Sequence, residues 1–190
     1  MMKKYIWLLL SIFMVTITST SFAKDEFENN KRYVKRPIGM GVVSYIDTAS
    51  VALQKYNPPE YIITINAIQR YYDMDKIAHT RSFTYKFKYD YKERKMYIYS
   101  PGNGSAFKER YLSEMKWRKK PIDKTINWNS DWQFISPDIY YGEGTSDRAI
   151  AGEIAFAIAY NLKFHGEKFE AFQDGFYNQL PNASKMKDKL

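Results

Sequence analysis

Aromatic residues occupy every second position from Phe83 to Tyr91, and polar or charged residues fill the positions between them. This period of two predicts a β-strand with rings on one face and polar groups, including Lys86 and Lys88, on the other. A polar turn at 92–94 and a second apolar run at 96–99 predict an antiparallel hairpin. Because a ring-lined face must be buried, the rest of the chain has to supply a cover for it.

Three earlier segments also have the composition of strands. Residues 42–46 and 51–56 are short apolar runs separated by turn-forming residues at 47–50, and Pro58 and Pro59 end the second run. Residues 61–72 are rich in isoleucine and predict a central strand. Short connections between consecutive strands are typical of an antiparallel meander.

A helix is predicted over residues 146–165. Isoleucine or leucine recurs there at every fourth position with alanines beside it, which gives one broad apolar stripe. Thr145 or Ser146 can cap the start, Asp147 suits the positive end of the helix dipole, and Gly166 suits a left-handed C-cap. We therefore predict an α+β fold, an antiparallel β-sheet (a meander of four to six strands) packed by this one C-terminal α-helix.

The domain organisation follows from the two ends of the chain. Residues 1–23 have the basic start, the apolar run and the small-residue cleavage site of a signal peptide. We predict a mobile lead-in at 24–39, a single sheet-plus-helix domain at 40–166 and a C-terminal tail at 167–190. The protein is thus expected to be exported, to the periplasm, the cell surface or the medium, and not to be transmembrane after signal cleavage.

The amino-acid composition limits the kinds of chemical site that the protein can contain. The sequence contains no cysteine, which excludes disulfides, thiolate metal sites and cysteine nucleophiles. The formal net charge of +8 favours anionic partners such as an acidic polymer or a lipid headgroup, although lysines that simply keep an aromatic-rich surface soluble would give the same charge.

Two basic segments are candidates for a binding surface. Trp117, Arg118, Lys119 and Lys120 form the densest basic segment, within a region where residues 106–116 fit either a short helix or an irregular strand. Lys86 and Lys88 of the hairpin complete the predicted surface. No nucleic-acid partner is expected, because the alternation places these lysines on the face opposite the rings.

No catalytic, cofactor or metal site is predicted. His79 and His165 lack further ligands at metal-binding spacing, and the position of His165 at a helix end is explained by the helix dipole. Asp73 and Asp75 are interpreted as turn residues, because no EF-hand glycine or glutamate follows them.

The order of elements resembles a known family. Four features follow one another along the chain: a signal segment, residues 45–50 (Tyr-Ile-Asp-Thr-Ala-Ser), a meander ending at 89–96 (Tyr-Asp-Tyr-Lys-Glu-Arg-Lys-Met), and residues 132–137 (Trp-Gln-Phe-Ile-Ser-Pro) before a helix. In this order they resemble exported bacterial proteins of the surface-adhesin protein E type. The resemblance implies a sheet with a packed helix and binding of host matrix proteins. It assigns no functional residue, and the lack of cysteine removes any lipid anchor or disulfide.

Three hypotheses of function follow. The first is an exported, non-enzymatic, adhesin-like binding protein whose partner is an anionic polymer, a lipid headgroup or an extracellular protein. The second is an exported enzyme or enzyme inhibitor with a site in the Trp-rich loop 122–144, where Trp128, Trp132, Asp131, Asp138 and Glu143 gather. The third is a structural role in the envelope. A sheet edge could also support a homodimer.

Overall fold

A computed structural model of the chain describes residues 26–39, 41–74, 76–138 and 145–187. The predicted signal segment therefore lies outside the described residues. Within them a six-stranded antiparallel sheet has the order β1-β2-β3-β4-β5-β6, so every strand pairs with its neighbour in sequence. The strands are β1 (Tyr33–Gly39), β2 (Val42–Asn57), β3 (Glu60–Asp73), β4 (Lys76–Asp90), β5 (Lys95–Tyr99) and β6 (Trp132–Ile135).

Among the described residues, two α-helices complete the α+β fold, α1 (Gly104–Trp117) and α2 (Thr145–Tyr160). The predicted class and the meander are confirmed, and α1 resolves the segment for which the sequence left helix and strand open. Helix α2 lies across β2, β3 and β4 and is the cover that the ring-lined face requires. No helix among the described residues is both long and apolar enough to cross a membrane.

The core lies between α2 and the inner face of the sheet. Phe87 and Tyr89 of β4 are fully buried there, together with Ile63 and Ile65 of β3 and Met96 of β5. The Phe156 ring of α2 packs against Tyr89 and stacks on Tyr91. The predicted alternation of β4 is thus the pattern that builds the core.

The start of the sheet differs from the prediction. Residues 33–39, predicted as part of a mobile lead-in, form β1, and Arg32 holds this edge by two hydrogen bonds of 2.7 and 2.6 Å to the Asp47 carboxylate. The predicted turn at 47–50 is an irregularity within the continuous strand β2. Local hydrogen bonds form there: Asp47 Oδ1 accepts from the Ala49 amide at 3.1 Å, and Ser50 Oγ donates to the Asp47 carbonyl at 2.7 Å. The register shifts at this point, but the chain does not reverse.

The C-terminal part of the chain also differs from the prediction. Helix α2 ends at Tyr160, five residues before the predicted end, because Asn161 takes the left-handed conformation (φ 54°) there. Gly166 is left-handed too, but it begins a 3-10 helix. Residues 167–187, predicted as a tail outside the domain, bury Phe172, Phe176 and Leu180 in the same core as the helix.

Candidate functional site

The alternation along β4 sets which side chains remain on the outside of the sheet. Phe87 and Tyr89 are buried beneath α2, so Lys86 and Lys88, which alternate with them, project from the opposite, outer face. Both lysines are half-buried by their surroundings on that face. The predicted sidedness of these two residues is therefore confirmed.

Neighbouring strands bring rings to the same outer face. In the register of the sheet, Lys88 lies opposite Tyr97 of β5, and Tyr99 lies opposite Trp132 of β6. Residues directly opposite one another in an antiparallel pair share a face. Tyr97, Tyr99 and Trp132 consequently stand beside the lysines, while Met96 and Ile98 enter the core.

The contacts on this face are close. The Lys86 Nζ lies 5.5 Å from the centroid of the Tyr99 ring and 5.8 Å from that of Trp132. The Lys88 Nζ lies 4.9 Å from the Tyr97 centroid and 5.5 Å from the Trp132 centroid. All four distances are within the range of cation–π attraction, about 6 Å. We call Lys86, Lys88, Tyr97, Tyr99 and Trp132 the outer-face cluster.

The outer-face cluster corrects one expectation. The alternation predicts that these lysines lie opposite the rings, which is correct within β4 and wrong for the sheet as a whole. The rings come from β5 and β6, whose register with β4 is not visible in the alternation of a single strand. A signal was nonetheless present, since the run 96–99 alternates tyrosine with aliphatic residues and so has rings on its second face.

The outer-face cluster combines two ammonium groups with partly exposed aromatic rings. The Tyr99 and Trp132 rings meet edge to face with their centroids 5.4 Å apart, and Tyr99 is 44% exposed. Burial raises the pKa of Tyr97 above its ordinary value. Its protonated hydroxyl can donate a hydrogen bond. Exposed rings can stack on a flat ligand group while the two ammonium groups pair with its anionic substituents.

The predicted basic segment Trp117–Lys120 lies elsewhere, at the end of α1. Trp117 is 75% exposed, and the Arg118 Cζ lies 5.5 Å from its ring centroid. Carboxylates neutralise two of the three cations: Arg118 Nε contacts Glu114 Oε1 at 2.6 Å and Lys120 Nζ contacts Asp138 Oδ2 at 3.1 Å.

Among the described residues, Lys119 makes no ion pair, and no ring contact or ion pair joins this segment to the outer-face cluster. The six predicted binding residues therefore form two separate sites.

The Trp-rich loop is described as far as residue 138, so Glu143 lies outside the described residues. Trp128 packs against Tyr111 of α1 with centroids 5.3 Å apart, and Trp132 belongs to β6. Asp138 is the partner of Lys120. The Trp128 and Trp132 rings of this loop therefore pack onto the fold.

The two histidines have different surroundings. The His79 ring stacks on Tyr71 with centroids 4.0 Å apart, while Asp75 lies outside the described residues. In the part of the chain that the structure describes, no group of three or more His, Asp or Glu side chains is placed to hold a metal ion.

The sequence predicts His165 at the C-terminus of the helix, but His165 lies five residues beyond the end of α2. Its Nδ1 lies 2.9 Å from Oε2 of Glu153, a fully buried carboxyl group of α2. Glu153 Oε1 also accepts hydrogen bonds from the Phe164 amide at 2.8 Å and the Tyr177 hydroxyl at 2.6 Å. Sequence reasoning missed this pair, although a glutamate within an apolar helical stripe was a signal of it.

Comparison with known proteins gives no match for this chain among protein-family models, curated proteins or solved structures. The site is therefore interpreted from its own geometry.

Proposed function

We propose that the protein is an exported, non-enzymatic binding protein, adhesin-like in its mode of action, that uses the outer-face cluster to bind an anionic polymer. One observation carries the proposal: Lys86 and Lys88 stand among Tyr97, Tyr99 and Trp132 on one side of a rigid sheet. Among anionic polymers an acidic polysaccharide fits best, because sugar rings stack on aromatic faces while carboxylate or sulfate groups pair with the lysines.

The overall charge of the chain supports this proposal. The full sequence carries a net charge of +8, and loss of Lys3 and Lys4 with residues 1–23 leaves +6. This charge attracts a polyanion over distances longer than the contacts themselves, and the attraction weakens as salt is added. Export is part of the proposal and rests on the signal-like residues 1–23. In the described part of the Trp-rich loop, Trp128 packs on Tyr111 and Asp138 pairs with Lys120. These side chains are engaged with the fold, which favours the binding hypothesis over a catalytic site in this loop.

The test is binding to immobilised heparin and polygalacturonate, with uncharged dextran as the neutral polymer. We expect the double variant Lys86→Glu, Lys88→Glu to lose roughly tenfold or more in affinity, because both ammonium groups leave the ring cluster. The single variant Trp132→Ala should also weaken binding, because both lysines contact that ring.

The matched control is Lys31→Glu combined with Lys185→Glu, which changes the net charge equally at two exposed positions. An equal loss in this control would show that binding depends on total charge alone and would refute the assignment of the site. Absence of binding to either polyanion at low salt would refute the proposed function.

The Trp117–Lys120 segment gives a second comparison. Because carboxylates already pair with Arg118 and Lys120, we expect reversal of these two charges to affect polyanion binding less than reversal at Lys86 and Lys88. A larger effect would move the binding site to the end of α1.

A further inference from the structure

A cavity of about 540 Å³ lies between the β4–β5 turn and the segment that follows α2. This volume is within the range of small-molecule sites, roughly 300 to 1,000 Å³. The residues that matter here are Arg94 from the turn and Lys163, Phe164, His165, Lys168 and Phe169 from the segment. It is distinct from the outer-face cluster, and no part of the proposed function depends on it.

The Arg94 guanidinium is held in place on the cavity wall. Its Cζ lies 3.8 Å from the Tyr91 ring centroid, and its NH1 donates to the Phe164 carbonyl at 2.7 Å. A guanidinium group has five N–H donors, so this single bond leaves donors for a ligand. Because stacking and the carbonyl fix its orientation in advance, a bound anion would not have to order this side chain.

The His165 ring is also fixed in advance. Its Nδ1 is bound to the buried Glu153 carboxyl group, and Glu153 is in turn held by the Phe164 amide and the Tyr177 hydroxyl. The ring packs edge to face on Phe169 with centroids 5.2 Å apart. Nε2 is the ring nitrogen that makes no hydrogen bond within the described residues.

The charge of the lining is positive. Arg94, Lys163 and Lys168 supply three cations, and Glu167 supplies one carboxylate, which contacts Lys163 Nζ at 3.0 Å. Lys168 makes no ion pair in the part of the chain that the structure describes. The half-buried Phe169 ring gives the wall an apolar surface, while the Phe164 ring is buried. A ligand that matches both features has an anionic head and an apolar body.

From this geometry we infer that the cavity binds a small carboxylic acid with an apolar chain or ring. The carboxylate pairs with the Arg94 guanidinium and approaches His165 Nε2, and the apolar body lies against the Phe169 ring. Arg94 suits this role because its planar fork matches the two oxygens of a carboxylate.

The test uses the two histidines as reporters, since the chain contains only His79 and His165. The protein is labelled with ¹⁵N in its histidine rings and titrated with octanoate, octanol and acetate. We expect octanoate to move the His165 signals saturably and to leave the His79 signals in place. Equal responses to octanol, which lacks the charge, or to acetate, which lacks the chain, would overturn the inference, as would no response up to about 10 mM octanoate.

Two charge-reversal variants locate the site. Lys168→Glu places a negative charge at the cavity rim, and we expect it to raise the octanoate Kd about fivefold. Lys185→Glu makes the same change at an exposed residue outside the lining and should leave the Kd unchanged. Equal effects of the two variants would contradict binding in this cavity. Because both lysines are exposed, neither change should impair folding.

Discussion

At the scale of single residues, Glu153 is a fully buried polar group with several partners. Its carboxyl group accepts hydrogen bonds from the amides of Phe164 and His165, the Tyr177 hydroxyl and the His165 imidazole. A buried carboxyl group is costly unless its hydrogen-bonding capacity is filled. Glu153 therefore joins α2 to the segment 164–177.

We expect Glu153→Gln to lower the free energy of unfolding by about 3 kcal/mol, because an amide nitrogen would face donors that need an acceptor. Urea unfolding followed by tryptophan fluorescence measures this change. The matched control is Glu170→Gln at an exposed position, which should stay within about 0.5 kcal/mol of the parent. A parent-like stability of Glu153→Gln would contradict the joining role.

A second residue-scale prediction concerns Asp123. Its hydrogen bond with Lys95, a contact of 2.7 Å, is the main cause that lowers its pKa to about 2. A carboxyl group with a lowered pKa stabilises the fold above the pKa of the unfolded chain, and this stabilisation is lost as the pH falls from about 4 towards 2. Because solvent screens the pair, its size should not exceed about 1 kcal/mol.

Asp123→Asn should therefore be less stable than the parent at pH 7, and the difference should shrink below about pH 4. Urea titrations at pH 7, 5 and 3 measure it. A difference that is constant over this range would refute the assigned cause.

The residue scale also shows how far the sequence could lead. The face occupied by Lys86 and Lys88 was predictable, because a period of two fixes sidedness within one strand. That Tyr97, Tyr99 and Trp132 lie beside them depends on the register of three strands, one of which follows a helix and a loop. The His165–Glu153 contact depends likewise on the path of the chain after α2, which no local pattern encodes.

At the scale of elements, Gly152 sets how closely α2 approaches the sheet. A Cβ at this position would lie 2.3 Å from Met96 Sδ and 3.3 Å from Phe87 Cδ1. One turn of α2 thus rests directly on β4 and β5, and the Tyr89 hydroxyl donates to the Gly152 carbonyl at 2.7 Å. A glycine in a helix centre is here a requirement of packing, not of backbone conformation.

We expect Gly152→Ala to destabilise the protein by about 1–3 kcal/mol through overpacking, despite the better helix propensity of alanine. Met96→Ala removes the side chain that clashes, so the core truncation should cost less stability in the Gly152→Ala background than in the parent. Double-mutant-cycle analysis of urea unfolding measures the coupling. Additive effects of the two changes would show that the helix avoids the clash by moving.

The end of α2 shows why element boundaries escape sequence reasoning. Asn161 and Gly166 both suit the left-handed conformation, so local chemistry did not decide between them. The structure ends the helix at the earlier residue, where the Asn182 side chain donates to the carbonyl of Ala157 at 2.8 Å and to Asn161 Oδ1 at 2.7 Å. A distant segment therefore satisfies the helix terminus, and that contact is invisible in the sequence around residue 161.

At the scale of the whole molecule, residues 167–187 belong to the folded unit. Phe172, Phe176, Tyr177 and Leu180 are buried, and full burial of each such side chain contributes about 1.5–3 kcal/mol. Their sum is comparable with the stability of an ordinary domain, about 5–15 kcal/mol. The boundary predicted at residue 166 cuts through this core.

A chain ending at Gly166 should therefore lack a cooperative unfolding transition and bind a hydrophobic dye. A chain ending at Lys187 keeps every described contact and should unfold like the full chain. Near-ultraviolet circular dichroism and dye fluorescence distinguish the two. A cooperative, dye-negative product from the shorter chain would show that the last segment is dispensable.

The unequal lengths of β4 and β5 have a consequence for the protein at high concentration. Strand β5 pairs with β4 only from Phe87 to Asp90, so among the described residues the stretch 76–86 has a strand partner on one side alone. Lys76, Arg81 and Lys86 recur along this open edge. Two copies that met there would bring like charges together, and such charges discourage strand addition. Lys86, which we propose for ligand binding, is thus one of the charges that would oppose edge-to-edge pairing of two copies.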